Sequence, residues 1–226
     1  MQKIKKIGII GGMGANASAY FLQLLINRIN QNNLKMPEII LDSIPIEDFI
    51  SDESKIKDGQ IKLIKTIKQF NLLKPNIVVM CCNTAHIIYP QINQSAKFIF
   101  PSLIDLVKNK ISDSRCQRIG ILGTPNTIKY QLYQDNSKKI FIPNLKLQNI
   151  LEENIRSTIK SDFEKINYSV LSKEINNFIE LNNLDGLVLG CTELPIFFDK
   201  VNLNKNIITF NSIEILIDHL IHYLQC

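Results

Sequence analysis

The feature that most constrains the fold is a pattern that occurs once in each half of the chain. The segment KKIGIIGGMG, which starts at Lys5, resembles QRIGILGTPN, which starts at Gln117. The segment IVVMCCNT likewise resembles GLVLGCTE, and this alignment places Cys82 opposite Cys191. The two offsets, 112 residues (117 − 5) and 109 residues (191 − 82), are nearly equal. Two matches in the same order at almost one offset predict a duplicated unit, with its copies related by a pseudo-two-fold axis.

Short apolar runs bounded by Gly, Pro or Asn recur along the chain, and such runs are typical of buried strands. The predicted strands are Lys6–Ile10, Glu38–Ser43, Asn76–Met80, Lys97–Pro101, Arg118–Leu122, Gly186–Gly190 and Asn206–Phe210. Segments with helical spacing, such as AYFLQLLINRINQ, separate most of them. Continuous apolar strands that alternate with helices favour mostly parallel sheets covered by helices on both faces. The sequence therefore predicts an α/β fold with two similar lobes and an active site in the cleft between them.

The boundary between the lobes is expected near the polar segment ISDSRCQR. Residues 1–112 would form the first α/β lobe and residues 113–210 the second. The last helix, within residues 211–226, would pack back on the first lobe.

Composition excludes several classes of protein. The 226 residues are 45% hydrophobic and 21% charged, which is ordinary for a globular domain. No apolar run is long enough for a membrane span, and the short apolar N-terminal segment, which breaks at two glycines, indicates a first strand in a cytoplasmic protein. The net charge of +5 is scattered, so no concentrated nucleic-acid surface is expected.

The five cysteines form no Cys-x-x-Cys motif or Cys/His cluster, so neither a disulfide framework nor a zinc site is indicated. Cys81 and Cys116 are expected to be small buried apolar residues, and Cys226 to be incidental. His219 and His222 share a helix face without a third ligand, so no metal site is predicted there.

Cys82 and Cys191 have a different character, because each lies where an apolar strand ends. Ligands bind at the carboxyl ends of strands in open α/β sheets. A helix N-terminus at the same place would lower a thiol pKa from about 8.5 toward the range of about 3.5–7.5. Asn83, Thr84 and Thr192 follow the two thiols, and short polar side chains beside free N–H groups make a cradle for a carboxylate.

A pseudo-two-fold axis would aim the two thiols at opposite faces of a bound molecule. Racemisation needs this arrangement, since one group removes the α-proton and its partner returns a proton from the other side. The carbanion must be stabilised by donors around its carboxylate. The candidate donors are Asn83, Thr84, Thr124 and Thr192. Two-base transfer accounts for both cysteines, whereas a single nucleophile accounts for one.

Three segments, IGIIGGMG, CNTAH and LGCTELP, resemble the signature segments of the aspartate/glutamate racemase family, the cofactor-independent amino-acid racemases. The resemblance implies a two-lobed fold, an amino-acid substrate, no cofactor and Cys82 and Cys191 as the two acid/base groups. It also implies a homodimer, because many members are dimers. The residues that it assigns to the substrate are Asn83, Thr84 and Thr192 for the α-carboxylate and amino group, with Met13, Gly14 and Thr124 lining the site.

The sequence departs from the family in three places. Ala15 and Asn16 follow the glycine loop where Pro is common, and Cys81 stands where the family often has Pro. The Arg that aspartate racemases carry after the second strand is missing, with Phe49 near its place. Lys160 resembles a family lysine that can contact a distal carboxylate, so an acidic substrate, aspartate or glutamate, is expected.

Alternatives remain open at this point. Gly12, Gly14 and Ala17 fit a G-x-G-x-x-A fingerprint with Asp42 as the ribose acid, which suggests a dehydrogenase but leaves both cysteine motifs unexplained. An isomerase or decarboxylase of a small dicarboxylic acid would use one thiol on the same fold. A protein that only binds a ligand would need neither of the two thiols.

Two residues beside the thiols have two interpretations each. His86 either supports the Cys82 loop through a hydrogen bond or is a satisfied structural histidine. Glu193 either caps its helix, which we expect, or polarises Cys191.

Overall fold

The computed structural model describes residues 4–46, 51–204 and 206–226. Strands and helices alternate along these residues, as the apolar runs predict. The strands are β1 (Lys6–Gly11), β2 (Glu38–Ser43), β3 (Ile77–Met80), β4 (Arg118–Gly123), β5 (Lys139–Phe141), β6 (Gly186–Gly190) and β7 (Ile208–Asn211).

The helices connect successive strands and cover the sheets. They are α1 (Ala15–Gln31), α2 (Ile56–Leu73), α3 (Tyr89–Asn93), α4 (Leu103–Ser112), α5 (Pro125–Lys129), α6 (Leu145–Ile159), α7 (Tyr168–Leu181), α8 (Leu194–Phe198) and α9 (Ser212–Gln225). Short 3-10 helices span Glu53–Lys55, Thr84–Ile88 and Phe163–Lys165.

The strands form two sheets in which every pairing is parallel. The first sheet has the order β2-β1-β3 and the second has the order β5-β4-β6-β7. In each sheet a strand that begins one half of the chain lies at the centre, flanked by the next two strands in sequence. This shared order agrees with the internal repeat, and the α/β fold with two helix-covered parallel sheets is confirmed.

One strand prediction is wrong, and one strand of the structure is absent from the predicted set. The segment Lys97–Pro101 is not a strand, because only an isolated bridge joins Ile99 to Ile77 at the edge of the first sheet. Its Phe98 and Phe100 instead pack edge-on against each other, and Phe98 also meets Phe70. The three-residue strand β5 was not predicted, since KIF is too short to show a pattern of alternation.

The internal strands β1, β4 and β6 are buried on both faces along nearly their whole length, which explains their uninterrupted apolar sequences. One core cluster contains Ile9 of the first sheet, Val188 of the second, and residues of α1, α4 and α9. Helix α9 contacts α1 and α4 as well as β6 and β7. The two sheets therefore share a core, which holds their loops in a defined relation.

No helix within the described residues is long and apolar enough to cross a membrane.

Candidate active site

The loops that follow β1, β3 and β6 meet at the carboxyl ends of the two sheets, as expected for a parallel α/β architecture. They enclose a cleft of about 320 Å³. Its described lining comprises Gly12, Met13, Gly14, Ala15, Ile46, Cys82, Asn83, Thr84, Arg156, Ile159, Cys191, Thr192 and Glu193. The structure thus brings both thiols to one cleft from equivalent strands of the two sheets.

Cys82 lies two residues after β3 and is held by the residues that follow it. The carbonyl oxygen of Cys82 lies 2.7 Å from His86 Nδ1, and the Leu103 N–H donates to His86 Nε2 at 3.0 Å. Because Nε2 accepts, Nδ1 carries the proton and donates to Cys82. Burial lowers the pKa of His86 to about 4, so the ring is neutral at physiological pH. His86 is therefore a satisfied histidine that also fixes the Cys82 loop.

Cys191 follows β6 directly and is paired with a carboxylate. Its thiol donates to Glu193 Oε2 at 2.9 Å, and the Thr192 hydroxyl donates to the same oxygen at 3.3 Å. Glu193 occupies the N-cap position of α8 but its side chain makes no capping hydrogen bond. The expectation that Glu193 caps its helix is therefore wrong, and the alternative, in which it polarises Cys191, describes its contacts.

The other oxygen of Glu193 faces the glycine loop. Glu193 is buried, and its Oε1 atom has no hydrogen-bond partner among the described residues. A Cβ added to Gly14 would lie 1.7 Å from this oxygen, and Gly14 has φ +142°. Only glycine fits here, since any side chain would both collide with the carboxylate and strain the backbone.

The electrostatics of the cleft disagree with the expectation of low thiol pKa values. Burial and the nearby charge of Glu193 raise the pKa of Cys82 to about 12, although backbone N–H groups of Ala85 and Thr84 act in the opposite direction. Burial and Glu193 also raise the pKa of Cys191. The helices that follow the thiols are short and the thiols are desolvated, so desolvation outweighs the N–H donors.

The polar residues next to the thiols connect the two halves of the chain. Asn83 Nδ2 donates to Ser212 Oγ at 3.1 Å, and Asn83 Oδ1 accepts from the Tyr133 hydroxyl. Thr84 Oγ1 lies 2.9 Å from Thr124 Oγ1, which places Thr124 behind Thr84 and outside the cleft lining. The Asn83 side chain thus has an architectural role that the sequence did not reveal.

Only some of the remaining residues that were expected to contact the substrate line the cleft. Met13 and Gly14 line the cleft, but Lys160 is an exposed residue at the C-cap of α6 and is not among the lining residues. Arg156, one helical turn earlier, does line the cleft, and sequence reasoning missed it. Phe49, near the place of the missing family Arg, lies outside the described residues.

The remaining cysteines behave as predicted. Cys81 and Cys116 are buried, and Cys226 is exposed. Neither buried thiol lines the cleft.

Known amino-acid racemases resemble this chain in sequence. The family described as Asp/Glu/Hydantoin racemase matches residues 10–220. A glutamate racemase of Histophilus somni is 25% identical over 158 residues, which cover 66% of this chain and 56% of the relative. A broad-specificity amino-acid racemase of Bacillus subtilis is 28% identical over 140 residues, covering 57% of this chain and 58% of the relative. The chain thus matches little more than half the length of these relatives.

Solved structures match over nearly the whole chain. An aspartate racemase homologue from Pyrococcus horikoshii has a TM-score of 0.80 at 23% identity, covering 99% of this chain and 100% of its own. The Picrophilus torridus aspartate racemase has a TM-score of 0.73 at 26% identity, covering 98% of this chain and 94% of its own. The match over residues 10–220 shows that the chain belongs to the Asp/Glu/Hydantoin racemase family.

Proposed function

We propose that this protein racemises an amino acid without a cofactor, using Cys82 and Cys191 as the two groups that exchange the α-proton. The observation that carries this proposal is the position of the two thiols, which line one cleft from equivalent places in the two sheets. Glutamate and aspartate racemases among the similar proteins support it.

The chemistry follows from two acid/base groups on opposite sides of a stereocentre. One thiolate removes the α-proton of the bound enantiomer, and the other thiol donates its proton to the opposite face of the carbanion. The roles exchange when the opposite enantiomer binds. Backbone N–H groups would stabilise the negative charge on the α-carboxylate, together with the Thr84 hydroxyl, which can accept from Thr124 and donate to the substrate, and the Thr192 hydroxyl, which would turn from Glu193 to the substrate. Asn83 would hold the loop.

Substrate binding would lower the pKa values of the two thiols. A substrate α-ammonium brings a positive charge next to the buried thiols, and an opposite charge within about 4–6 Å favours the thiolate. The reactive state would therefore form only with a substrate in place.

Arg156 supports an acidic substrate, aspartate or glutamate. Its guanidinium reaches across to Ser51 Oγ at 2.8 Å and pairs with Glu152 Oε1 on its own helix, while its side chain also lines the cleft. A guanidinium presents five donors and suits a carboxylate. We propose Arg156, rather than Lys160, as the main partner of the substrate's side-chain carboxylate.

The carboxylate that packs against the glycine loop argues against a dehydrogenase. The Glu193 carboxylate occupies the space against Gly14 where a dinucleotide pyrophosphate would approach the backbone. A buried carboxylate there repels a phosphate group. The fingerprint glycines instead make room for Glu193.

The lobe division at residues 112 and 210, a homodimer and action in the cytoplasm are further parts of the proposal. A mostly apolar groove beside the edge strand β2 is consistent with a dimer. It is lined by Ile40, Leu41, Asp42, Gln69, Phe70, Leu72 and Leu73. Sedimentation equilibrium would measure the oligomeric state.

The test of the activity is proton NMR of the purified protein in D₂O with a panel of L-amino acids and no added cofactor. The proposal predicts loss of the α-proton signal of aspartate or glutamate, with formation of the D-enantiomer on chiral chromatography. Consumption of a dicarboxylate that lacks an amino group, without exchange of any amino acid, would instead support the isomerase or decarboxylase alternative.

A further inference from the structure

We infer that Glu193 is the residue that binds the α-ammonium group of the substrate, an assignment that rests on the proposed racemase function. The sequence-based scheme gave the amino group to Asn83, Thr84 and Thr192. The structure offers a better partner, because the amide of Asn83 is already engaged on both atoms and the hydroxyl of Thr84 is shared with other threonines.

The two oxygens of Glu193 differ in their surroundings. Oε2 accepts hydrogen bonds from Cys191 and Thr192. Oε1 is buried and has no partner among the described residues, and the residue as a whole is 3% exposed. A buried carboxylate oxygen without a donor destabilises the fold, because it has lost its water and gained no hydrogen bond in return. We therefore interpret Oε1 as an acceptor for a hydrogen-bond donor of a bound ligand.

The position of this oxygen in the cleft suits a substrate group. Glu193 lines the same cleft as Cys82 and Cys191, and Oε1 lies against Gly14, where the missing side chain makes space for the carboxylate. Its counterpart in the sequence repeat is Thr84, which has a neutral hydroxyl. The two sides of the cleft are therefore chemically different, and the side of Cys191 is the one that attracts a cation.

An ammonium group fits this acceptor better than a metal ion. Among the described residues that line the cleft, Glu193 is the one acidic side chain, whereas Ca²⁺ and Mg²⁺ sites take several oxygen ligands. An ammonium supplies three N–H donors and one positive charge. Bound at Oε1, it would also offset the effect of the carboxylate on the adjacent Cys191 thiol, so that amino-acid binding and thiol activation are coupled.

The experiment compares two ligands that differ in the amino group, L-aspartate and succinate, on the wild type and on Glu193→Gln. Titration calorimetry measures both dissociation constants. We expect Glu193→Gln to raise the dissociation constant of aspartate by tenfold or more, and to leave that of succinate unchanged or lower it, because a repelling charge is removed. Glu174→Gln is the matched control, since Glu174 is a buried carboxylate outside the cleft that pairs with Lys146 at 2.7 Å.

Each result decides the inference. Equal weakening of both ligands, or unchanged aspartate affinity in a variant that still racemises, would overturn the role of Glu193 while leaving the proposed function intact. A wild type that neither binds nor exchanges any amino acid would overturn both. If Glu193→Gln does not fold, Glu193→Asp keeps the charge, and it must retain a preference for aspartate over succinate.

Discussion

At the residue scale, the proposed reaction depends first on the two thiols. Cys82→Ser and Cys191→Ser keep a similar shape but replace a thiol by a hydroxyl of far higher pKa. We expect each to reduce racemisation in both directions by at least about 10²-fold, the usual contribution of a general acid or base. Initial rates from both enantiomers measure the effect.

Cys116→Ser is the matched control for these variants. Cys116 is buried outside the cleft, and its thiol lies 3.4 Å from the Asp185 carbonyl oxygen, to which a serine hydroxyl can also donate. This variant should racemise normally. Near-normal two-way turnover by Cys82→Ser or Cys191→Ser would be incompatible with the two-base scheme.

We expect Arg156 to determine the preference for an acidic side chain. Arg156→Gln removes a charge-assisted hydrogen bond worth about 1.5–3 kcal/mol, so KM for aspartate or glutamate should rise roughly 10- to 100-fold. The α-proton exchange of alanine, which has no second carboxylate, should not change. Lys160→Gln is the control, because Lys160 is exposed and lies one helical turn away. This variant should leave KM for aspartate or glutamate within about twofold of the wild type. A larger rise in KM for Lys160→Gln than for Arg156→Gln would show that Lys160 contacts the side-chain carboxylate instead.

His86 gives the protein a pH-dependent stability. Its pKa is about 4 in the fold and about 6.5 in an unfolded chain, so below pH 6.5 the unfolded state binds a proton that the folded state does not. The free energy of unfolding should therefore fall as the pH drops from about 7 toward 4, by at most about 3 kcal/mol from this residue.

Urea unfolding at several pH values measures this contribution. His86→Gln should be less stable than the wild type at pH 7.5, and the difference should shrink toward pH 4. The exposed His222→Gln is the control and should run parallel to the wild type. A constant difference between His86→Gln and the wild type across this range would show that the histidine does not titrate as described.

At the scale of elements, α9 begins at a side-chain cap. Asn211 Oδ1 accepts from the N–H groups of Ile213 at 3.0 Å and Glu214 at 3.3 Å. Asn211→Ala should cost about 1 kcal/mol of unfolding free energy, because two N–H groups lose their acceptor. Asn211→Asp keeps an acceptor and should recover most of this loss in urea unfolding. Equal stability of Asn211→Ala and the wild type would mean that the cap does not support α9.

Most strands could be predicted because burial on both faces makes them continuous apolar runs, as in Ile77–Met80 and Gly186–Gly190. The segment Lys97–Pro101 has a similar composition but lies at a sheet edge, where its two Phe side chains pack with other aromatic residues and only Ile99 pairs. Strand pairing depends on neighbours distant in sequence, which composition does not show.

The site could be predicted where strand ends carry unusual residues, and this applies to Cys82 and Cys191. Lys160 is predicted only from its resemblance to a family lysine, and the sequence does not show that the turn of α6 that carries Arg156 faces the cleft. Nor does it show the rotamer of Glu193, since a residue at a helix start can cap the helix or turn to a neighbouring thiol. Both the face that α6 turns to the cleft and the rotamer of Glu193 depend on how the two halves of the chain pack.

At the scale of the whole molecule, the two sheets repeat one strand order and place one thiol each in a shared cleft. The symmetry ends at the residues after the thiols, where Thr84 in one half corresponds to Glu193 in the other. A symmetric pair of bases serves a reaction that runs equally in both directions. In the proposed reaction, the asymmetric lining would hold the three other substituents of the α-carbon in fixed places.

The most direct test of the two-base mechanism follows the α-hydrogen during the initial phase of the reaction in D₂O. L-aspartate is converted only to a few per cent, the enantiomers are separated by chiral chromatography, and their deuterium content is measured by mass spectrometry. The account predicts deuterium at the α-carbon of nearly all the D-aspartate formed and the original hydrogen in the remaining L-aspartate, because the donating thiol has equilibrated with solvent. D-aspartate that retains the original hydrogen, or deuterium that enters L-aspartate without inversion at a similar rate, would contradict it.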